Sequence, residues 1–246
     1  MNTALDDGLI RRNPCRIKGA GQEVSPERPV LTIAQVYQLA GAVHQRYRAL
    51  ILLAAFGSLR WGEVTALRRS DIDVESGAVR IERQLVEARG GGFAFTSPKS
   101  AAGKRTVYVP ATIAAELRSH LDQFAGKAAD ALVFTGTRGK PIRHSHFRQR
   151  VWRPAADALN MKGVHVHDLR HMGNILSAAA GASLRELMDR MGHASTRAAL
   201  IYLHGSDERQ RKIASNLDVL ARQELAESNR KRQRRPPRGT GVARSS

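Results

Sequence analysis

The chain has 246 residues, of which 40 are Lys or Arg and 22 are Asp or Glu, so its formal net charge is +18. A hydrophobic fraction of 42% and a charged fraction of 25% are ordinary for a globular protein and exclude a chain that is disordered throughout. The single cysteine, Cys15, excludes a disulfide framework, and the longest apolar run, Ala49–Phe56, is far shorter than the roughly 18 residues of a membrane span. We therefore expect a cytoplasmic protein with a polyanionic partner, most often nucleic acid.

Neither end of the chain has the pattern of a folded domain. Thr3–Ile10 predicts a short helix, and the Pro and Gly residues that follow predict a linker, so residues 1–29 are expected to precede the main domain. Residues 228–246 are rich in arginine, contain no acid and lack an apolar period, which predicts a basic disordered tail. This tail is either a solvated extension or a nonspecific phosphate-binding arm.

Residues 30–227 show a helical pattern that is interrupted once. A capping box at Thr32 and Gln35 begins the first helix, and Gly57 ends the second. Glycine-rich turns divide the alternating segment Ile72–Val109 into about three strands. The other predicted helices are Leu59–Arg68, Thr112–Phe124, Ser145–Leu159, His167–Ala180, Ser183–Met191, Thr196–Tyr202 and Asp207–Glu227. The sequence therefore predicts one mainly α domain with a small antiparallel β-sheet, an α+β fold.

The densest group of chemically useful residues is the segment HVHDLRH at 165–171. If a helix begins at His167, then Arg170 and His171 lie on the same face. The two-histidine spacing also resembles a helical zinc site, but Asp168 stands where the metalloprotease motif needs Glu, and no third ligand follows. This disfavours zinc and leaves a polar binding face or simply hydrogen-bonded histidines at a helix start.

A second group is GSLRWGEVTALR at 57–68, in which Arg60 and Glu63 are three residues apart. The pair is either a structural ion pair or an acid that orients a guanidinium for two-pronged binding of phosphate. Lys99 precedes a hairpin turn at Gly103, where lysines are usually only solvated.

A third group follows Met191, where Gly192 predicts a helix C-cap. His193 comes next, and Tyr202 follows nine residues after it. Taken alone, a tyrosine on an apolar helix is more often a core residue than a nucleophile.

Taken in order, these residues resemble the tyrosine recombinase (phage integrase) family, over about Arg28 to Ala221, and look most like integrases of prophages from high-GC Gram-positive bacteria. The family pattern is an Arg with a Glu three residues later, a Lys at a β-hairpin, H-x-x-R, G-H and a Tyr. The matching residues are Arg60, Glu63, Lys99, His167, Arg170, His193 and Tyr202. The resemblance implies the catalytic-domain fold of that family over residues 30–227.

The resemblance also implies a site-specific recombinase, or integrase, that cleaves and rejoins duplex DNA. Tyr202 would attack the scissile phosphate and form a 3′-phosphotyrosyl bond, while Arg60 and Arg170 grip the phosphate oxygens. Lys99 would be the general acid to the departing 5′-oxygen, and Lys104 is a competing candidate for that role.

The remaining family positions are supporting ones. His167 would assist proton transfer, His193 would hydrogen-bond a phosphate oxygen, and Glu63 would orient Arg60. Lys104 and Arg105 are expected to contact DNA together with Arg60 and Arg170. No metal and no cofactor are implied, because the arginines and the lysine supply the positive charge.

The partners implied by the resemblance are double-stranded DNA attachment sites, three further copies of the chain in a tetramer, and accessory directionality or DNA-bending proteins. No membrane is involved, and the implied location is the cytoplasm, in association with the nucleoid. Relatives carry an N-terminal core-binding domain, of which residues 1–29 resemble a last helix and linker. Met172 replaces the small hydroxyl residue that is common in the H-x-x-R-H-T motif of relatives.

Three other interpretations remain open. The first is a truncated prophage remnant that binds DNA with little or no recombination. The second is a helix-turn-helix regulator, and the third is a type IB topoisomerase, which shares the chemistry of tyrosine recombinases. The regulator explains the charge but not the order of His193 and Tyr202.

Overall fold

The computed structural model describes residues 2–12, 30–88, 90–98 and 100–192, together with residues 196, 200, 211, 215, 217–219 and 222. The chain divides into two compact units, Met1–Ala194 and Ser195–Ser246. The predicted linker at 13–29 and the predicted tail at 228–246 lie outside the described residues.

Helices account for about half of the described part of the first unit. They are α1 (Asn2–Asp6), α2 (Ile33–Ala42), α3 (Gln45–Phe56), α4 (Trp61–Thr65), α5 (Ala111–Phe124), α6 (His144–Phe147), α7 (Arg153–Ala158), α8 (Val166–Ala179) and α9 (Leu184–Met191). A π-helical turn at Arg148–Trp152 joins α6 to α7, which makes the predicted helix Ser145–Leu159 nearly continuous. Among the described residues, none of the helices is long and apolar enough to cross a bilayer.

The strands form two small antiparallel sheets. They are β1 (Ile72–Asp73), β2 (Ala78–Ile81), β3 (Gln84–Glu87), β4 (Phe93–Thr96) and β5 (Arg105–Tyr108). The first sheet has the order β1-β2-β5, and β3 pairs with β4 in a separate hairpin. The prediction of about three strands was therefore too low, because strands of two or four residues have only one or two positions on each face and give a weak alternating pattern. The α+β class itself is confirmed.

The core is built around α3, whose seven residues from Ala49 to Ala55 are all buried. Helices α2, α5 and α8 pack around it. Thr32 caps α2 as predicted, since its hydroxyl accepts from the Gln35 N–H and the Gln35 side chain accepts from the Thr32 N–H. Trp152 is also in the core, and its indole N–H donates to the Val164 carbonyl at 2.9 Å, which satisfies its polar atom.

The predicted third helix, Leu59–Arg68, was too long. Helix α4 covers only Trp61–Thr65, and Arg60 is its N-cap instead of a residue within it. The chain then turns, because Arg68 pairs with Leu132 in an isolated β-bridge and a 3-10 turn follows at Arg69–Asp71.

In the second unit, the structure describes separate residues only. Leu200 and the described residues from 211 to 222 are helical. The Leu200 N–H donates to the Thr196 carbonyl at 2.9 Å, and Arg222 pairs with Asp218 at 2.8 Å. The rest of the predicted helices Thr196–Tyr202 and Asp207–Glu227 lies outside the described residues.

Helices α3 and α8 approach each other closely at Gly173. A Cβ atom placed on Gly173 would lie 2.0 Å from the Ala55 carbonyl oxygen and 2.6 Å from the Ser58 hydroxyl. Both distances are far below van der Waals contact, so only glycine permits this crossing. Because Gly173 lies one turn after Arg170, the crossing also fixes where Arg170 enters the interior.

Replacing Gly173 with alanine is expected to lower the free energy of unfolding by about 1–3 kcal/mol, because the added methyl group forces two packed backbones apart. Gly41→Ala in α2 is the matched control, since the nearest atom to its added Cβ is Arg48 Nη1 at 4.0 Å. That change is expected to be neutral or stabilising by up to about 1 kcal/mol. Urea unfolding measures both, and equal effects would contradict the close crossing of α3 and α8.

Candidate active site

A buried carboxylate, that of Glu63, is the meeting point of several cationic side chains. Its Oε1 accepts from Arg60 Nη1 at 2.8 Å and from Arg105 Nη1 at 3.1 Å. Its Oε2 accepts from Arg105 Nη2 at 2.9 Å and from the Arg60 backbone N–H at 2.9 Å. Arg170 Nη1 lies 3.9 Å from the same Oε2. The site thus brings Arg60 and Arg170 together at Glu63.

Local helix chemistry explains why Glu63 is in this position. It is the third residue of α4 and accepts from the N–H of the N-cap residue Arg60, which is the acidic half of a capping box. Burial by itself raises the pKa of Glu63, but the hydrogen bonds and charge of Arg105, with those from Arg60, hold the pKa below its ordinary value. Glu63 is therefore ionised at neutral pH, which is the state that orients a guanidinium.

The C-terminal end of α9 supplies the second set of acceptors. The Met191 carbonyl accepts from Arg170 Nη2 at 2.7 Å and from Arg60 Nη1 at 3.4 Å. The last carbonyls of a helix lack partners within the helix and carry partial negative charge, so cations stabilise them. Gly192 ends α9 in the left-handed conformation, with φ of 62°, which confirms the predicted C-cap.

The arginines differ in exposure. The Arg60 side chain is 38% exposed, whereas those of Arg105 and Arg170 are 6% and 4% exposed. Arg170 also donates to the Ser58 carbonyl. Of these three side chains, Arg60 thus has the largest exposed fraction for contact with a ligand from solvent.

Arg105 is buried in the same cluster. It was predicted to contact DNA, but its guanidinium is buried against Glu63, and its Nε donates to the Arg190 carbonyl at 2.8 Å. The missed signal is the alternation along β5, which places Arg105 on the same face as the buried Val107. An arginine that shares a face with core valines faces inward and requires a buried acceptor.

His167 lies on the N-terminal turn of α8, one turn before Arg170. The helix begins at Val166, with His165 as N-cap and Asp168 accepting from the His165 N–H at 2.7 Å. His167 lines a cavity of about 220 Å³ together with Trp61. Trp61 is the first residue of α4, so this cavity lies beside the starts of α4 and α8.

Three predicted site residues, Lys99, His193 and Tyr202, lie outside the described residues. Their roles stay predictions. Lys104 is described, and it is exposed immediately before β5 in a surface cavity of about 450 Å³ that Arg190 also lines. Within the described ranges, no group of three or more His, Cys, Asp or Glu side chains is arranged to hold a metal ion.

The sequence matches a family model. The description of that model is the phage integrase family, and the match covers residues 29–209. Curated relatives also match, among them the following two. A protein described as a prophage phiRv2 integrase of Mycobacterium tuberculosis is 39% identical over 225 residues, which is 90% of this chain and 59% of that protein. An integrase of Mycobacterium phage D29 is 36% identical over 227 residues, again 90% of this chain and 59% of the relative. The chain therefore spans somewhat over half the length of these relatives.

Solved structures share the fold. The Tn1549 transposon integrase, in complex with transposon right end DNA, superimposes with a TM-score of 0.72 at 21% identity, covering 88% of this chain and 75% of that one. The XerA recombinase matches with a TM-score of 0.59 at 22% identity, covering 78% of this chain and 66% of that one. The match of the family model to residues 29–209 confirms the resemblance drawn from the motifs, and the chain belongs to the phage integrase family.

Proposed function

We propose that this chain carries the strand-transfer centre of a site-specific DNA recombinase of the integration and excision type. The observation that supports this most is the convergence of Arg60 and Arg170 on the Glu63 carboxylate and on the Met191 carbonyl, two residues before His193. Two guanidiniums held in one place by fixed acceptors are suited to a tetrahedral phosphate, which has several oxygens to bind at once.

The proposed reaction conserves the number of phosphodiester bonds. The Tyr202 hydroxyl gives up its proton, with His167 assisting the transfer, and its oxygen attacks the scissile phosphorus. The bond from phosphorus to the 5′-oxygen breaks, and Lys99 gives that oxygen a proton. A free tyrosine has a pKa of about 10, so nearby positive charge is needed to favour the phenolate. Attack by the 5′-hydroxyl of another strand on the phosphotyrosine then restores Tyr202, and no external energy source is consumed.

The proposed substrate is double-stranded DNA at an attachment site. The net charge of +18 supports a polyanion, and the Tn1549 integrase that shares the fold was solved with transposon end DNA. We further propose that four copies act together on two duplexes, assisted by accessory directionality or DNA-bending proteins. The proposed location is the cytoplasm, in association with the nucleoid. These assemblies follow from the family resemblance.

The first test uses nicked suicide duplexes tiled from the DNA that flanks the gene. The wild-type chain is expected to form a covalent adduct that survives denaturing electrophoresis, because a nick lets the short 5′-hydroxyl strand diffuse away. Tyr202→Phe is expected to form none while still binding the duplex. Tyr108→Phe is the matched control, since Tyr108 is 64% exposed on β5 and its hydroxyl has no proposed role.

The outcomes separate the two leading interpretations. Loss of the adduct in Tyr202→Phe alone identifies the nucleophile, and the mapped junction identifies the attachment site. Binding by the wild-type chain without any adduct on every duplex contradicts the proposal and favours a DNA-binding remnant. An adduct that persists in Tyr202→Phe assigns the nucleophile to another residue.

Arg60→Ala is expected to slow adduct formation about 10²–10³-fold, the usual effect of removing one fixed donor to a developing charge. Arg48→Ala is its control, because Arg48 also pairs with an acid, Glu116, at 2.8 Å, but in the contact between α3 and α5. Single-turnover cleavage rates measure the effect, and fluorescence anisotropy checks binding. Equal rates for Arg60→Ala and Arg48→Ala would remove Arg60 from the reaction.

The two lysines are distinguished by the leaving group. Lys99→Ala is expected to cleave ordinary DNA slowly and to recover on DNA with sulfur in place of the scissile 5′-oxygen, because a thiolate leaves without a proton. Lys104→Ala is expected to keep its rate on both substrates. Recovery of Lys104→Ala instead would transfer the general-acid role to Lys104.

A further inference from the structure

Most of the N–H donors of the Arg105 guanidinium have protein acceptors. Nη1 donates to Glu63 Oε1 at 3.1 Å and to the Gly103 carbonyl at 3.0 Å, and Nη2 donates to Glu63 Oε2 at 2.9 Å. Nε donates to the Arg190 carbonyl at 2.8 Å. An arginine has five N–H donors, so these four bonds leave one donor, on Nη2, for a ligand. Arg105 is therefore poorly placed to bind a DNA phosphate directly.

We propose that Arg105 is a positioning residue that acts through Glu63 on Arg60, an inference that rests on the proposed function. Arg105 occupies both carboxylate oxygens of Glu63, and Arg60 uses one of them with its guanidinium and the other with its backbone N–H. These bonds prevent the carboxylate from rotating, and the carboxylate in turn fixes the orientation of the Arg60 guanidinium that is bonded to it. Because Arg105 shares the negative charge, Arg60 also retains more of its attraction for a phosphate.

Arg105 fixes the second acceptor of the site as well. Its Nε donates to the Arg190 carbonyl in α9. The Arg190 side chain in turn donates to the Tyr108 carbonyl in β5 at 3.2 Å, and also to the Phe56 carbonyl at the end of α3. Strand β5 and helix α9 are thus joined by reciprocal bonds from side chain to backbone. These bonds between β5 and α9 set the position of the adjacent Met191 carbonyl, which accepts from Arg60 and Arg170.

The role requires an arginine and not merely a positive charge. A lysine ammonium on a flexible stem cannot donate in parallel to both Glu63 oxygens and also reach the Arg190 carbonyl. Arg105→Lys therefore keeps the charge and removes the geometry. If Arg105 served only as a cation near DNA, this substitution would be nearly silent.

The test compares Arg105→Lys and Arg105→Gln with Arg83→Gln on the suicide duplex. Arg83 is a matched control, since it pairs with the buried Asp71 next to the same sheet, with side-chain exposures of 23% and 6%. We expect adduct formation to slow about 10–100-fold in both Arg105 variants, as when a partner that orients a reacting group is lost. We expect DNA affinity to fall less than about threefold at matched salt and the salt slope to stay unchanged. Arg83→Gln should lower the thermal midpoint similarly and leave the rate unchanged.

The rate of adduct formation in a double variant distinguishes a positioning role of Arg105 from a purely structural one. If Arg105 acts through Glu63 on Arg60, the double variant Arg60→Ala/Arg105→Gln is expected to be slowed by less than the product of the two single rate losses. Multiplied rate losses, wild-type rates in Arg105→Lys, or a salt slope lowered by about one phosphate contact would each overturn the inference.

Failure of the proposed function is recognised separately. If the wild-type chain forms no adduct, then that function fails, and the inference is decided by thermal unfolding of Glu63→Gln, Arg105→Gln and their combination. Midpoint losses that do not add support the shared site, and losses that add overturn it.

Discussion

The Glu63 carboxylate is the interaction on which the arrangement of the site depends, because it is the anion that lets several guanidiniums lie close together inside the protein. Two like charges 4 Å apart repel by about 4 kcal/mol at the effective dielectric of a protein surface. Arg60, Arg105 and Arg170 all lie within 4 Å of Glu63 oxygens, at distances from 2.8 to 3.9 Å. One carboxylate among three cations lowers the repulsion and leaves an excess of two positive charges, which favours a phosphodiester as ligand.

The end of α9 contributes the rest of the compensation without adding a full charge. The Met191 carbonyl binds Arg60 and Arg170, and the Arg190 carbonyl binds Arg105. Helix C-termini carry only partial negative charge, so these acceptors orient the guanidiniums without neutralising them. Exposure then separates the roles. The 38% exposed Arg60 side chain is available to a ligand, whereas Arg105, which is 6% exposed and has four of its five N–H donors bonded to the protein, holds the others in place.

Much of this site could be predicted from the sequence wherever its geometry is local. The spacing of Arg60 and Glu63 and that of His167 and Arg170 each span one helical turn, so the pairs follow from helix geometry alone. The role of Arg105 could not be predicted in the same way, because Glu63 and Arg190, the acceptors that define this role, lie 42 residues earlier and 85 residues later in the chain. The two-sheet arrangement was missed for a similar reason, since the pairing of β2 with β5 skips the β3–β4 hairpin. Such pairings are set by packing and not by any local pattern.

Contacts within the same cluster explain why glycine precedes His193. Gly192 adopts a φ of 62°, and a Cβ atom there would lie 2.9 Å from Arg105 Nη1 and 2.9 Å from the Ala102 carbonyl oxygen. A side chain at this position would push the Arg105 guanidinium away from Glu63 or lift the end of α9 from the strand. The G-H motif of the sequence therefore encodes more than a helix stop. It keeps the backbone close enough to Arg105 for the helix end, the buried acid and the exposed Arg60 to form one rigid set.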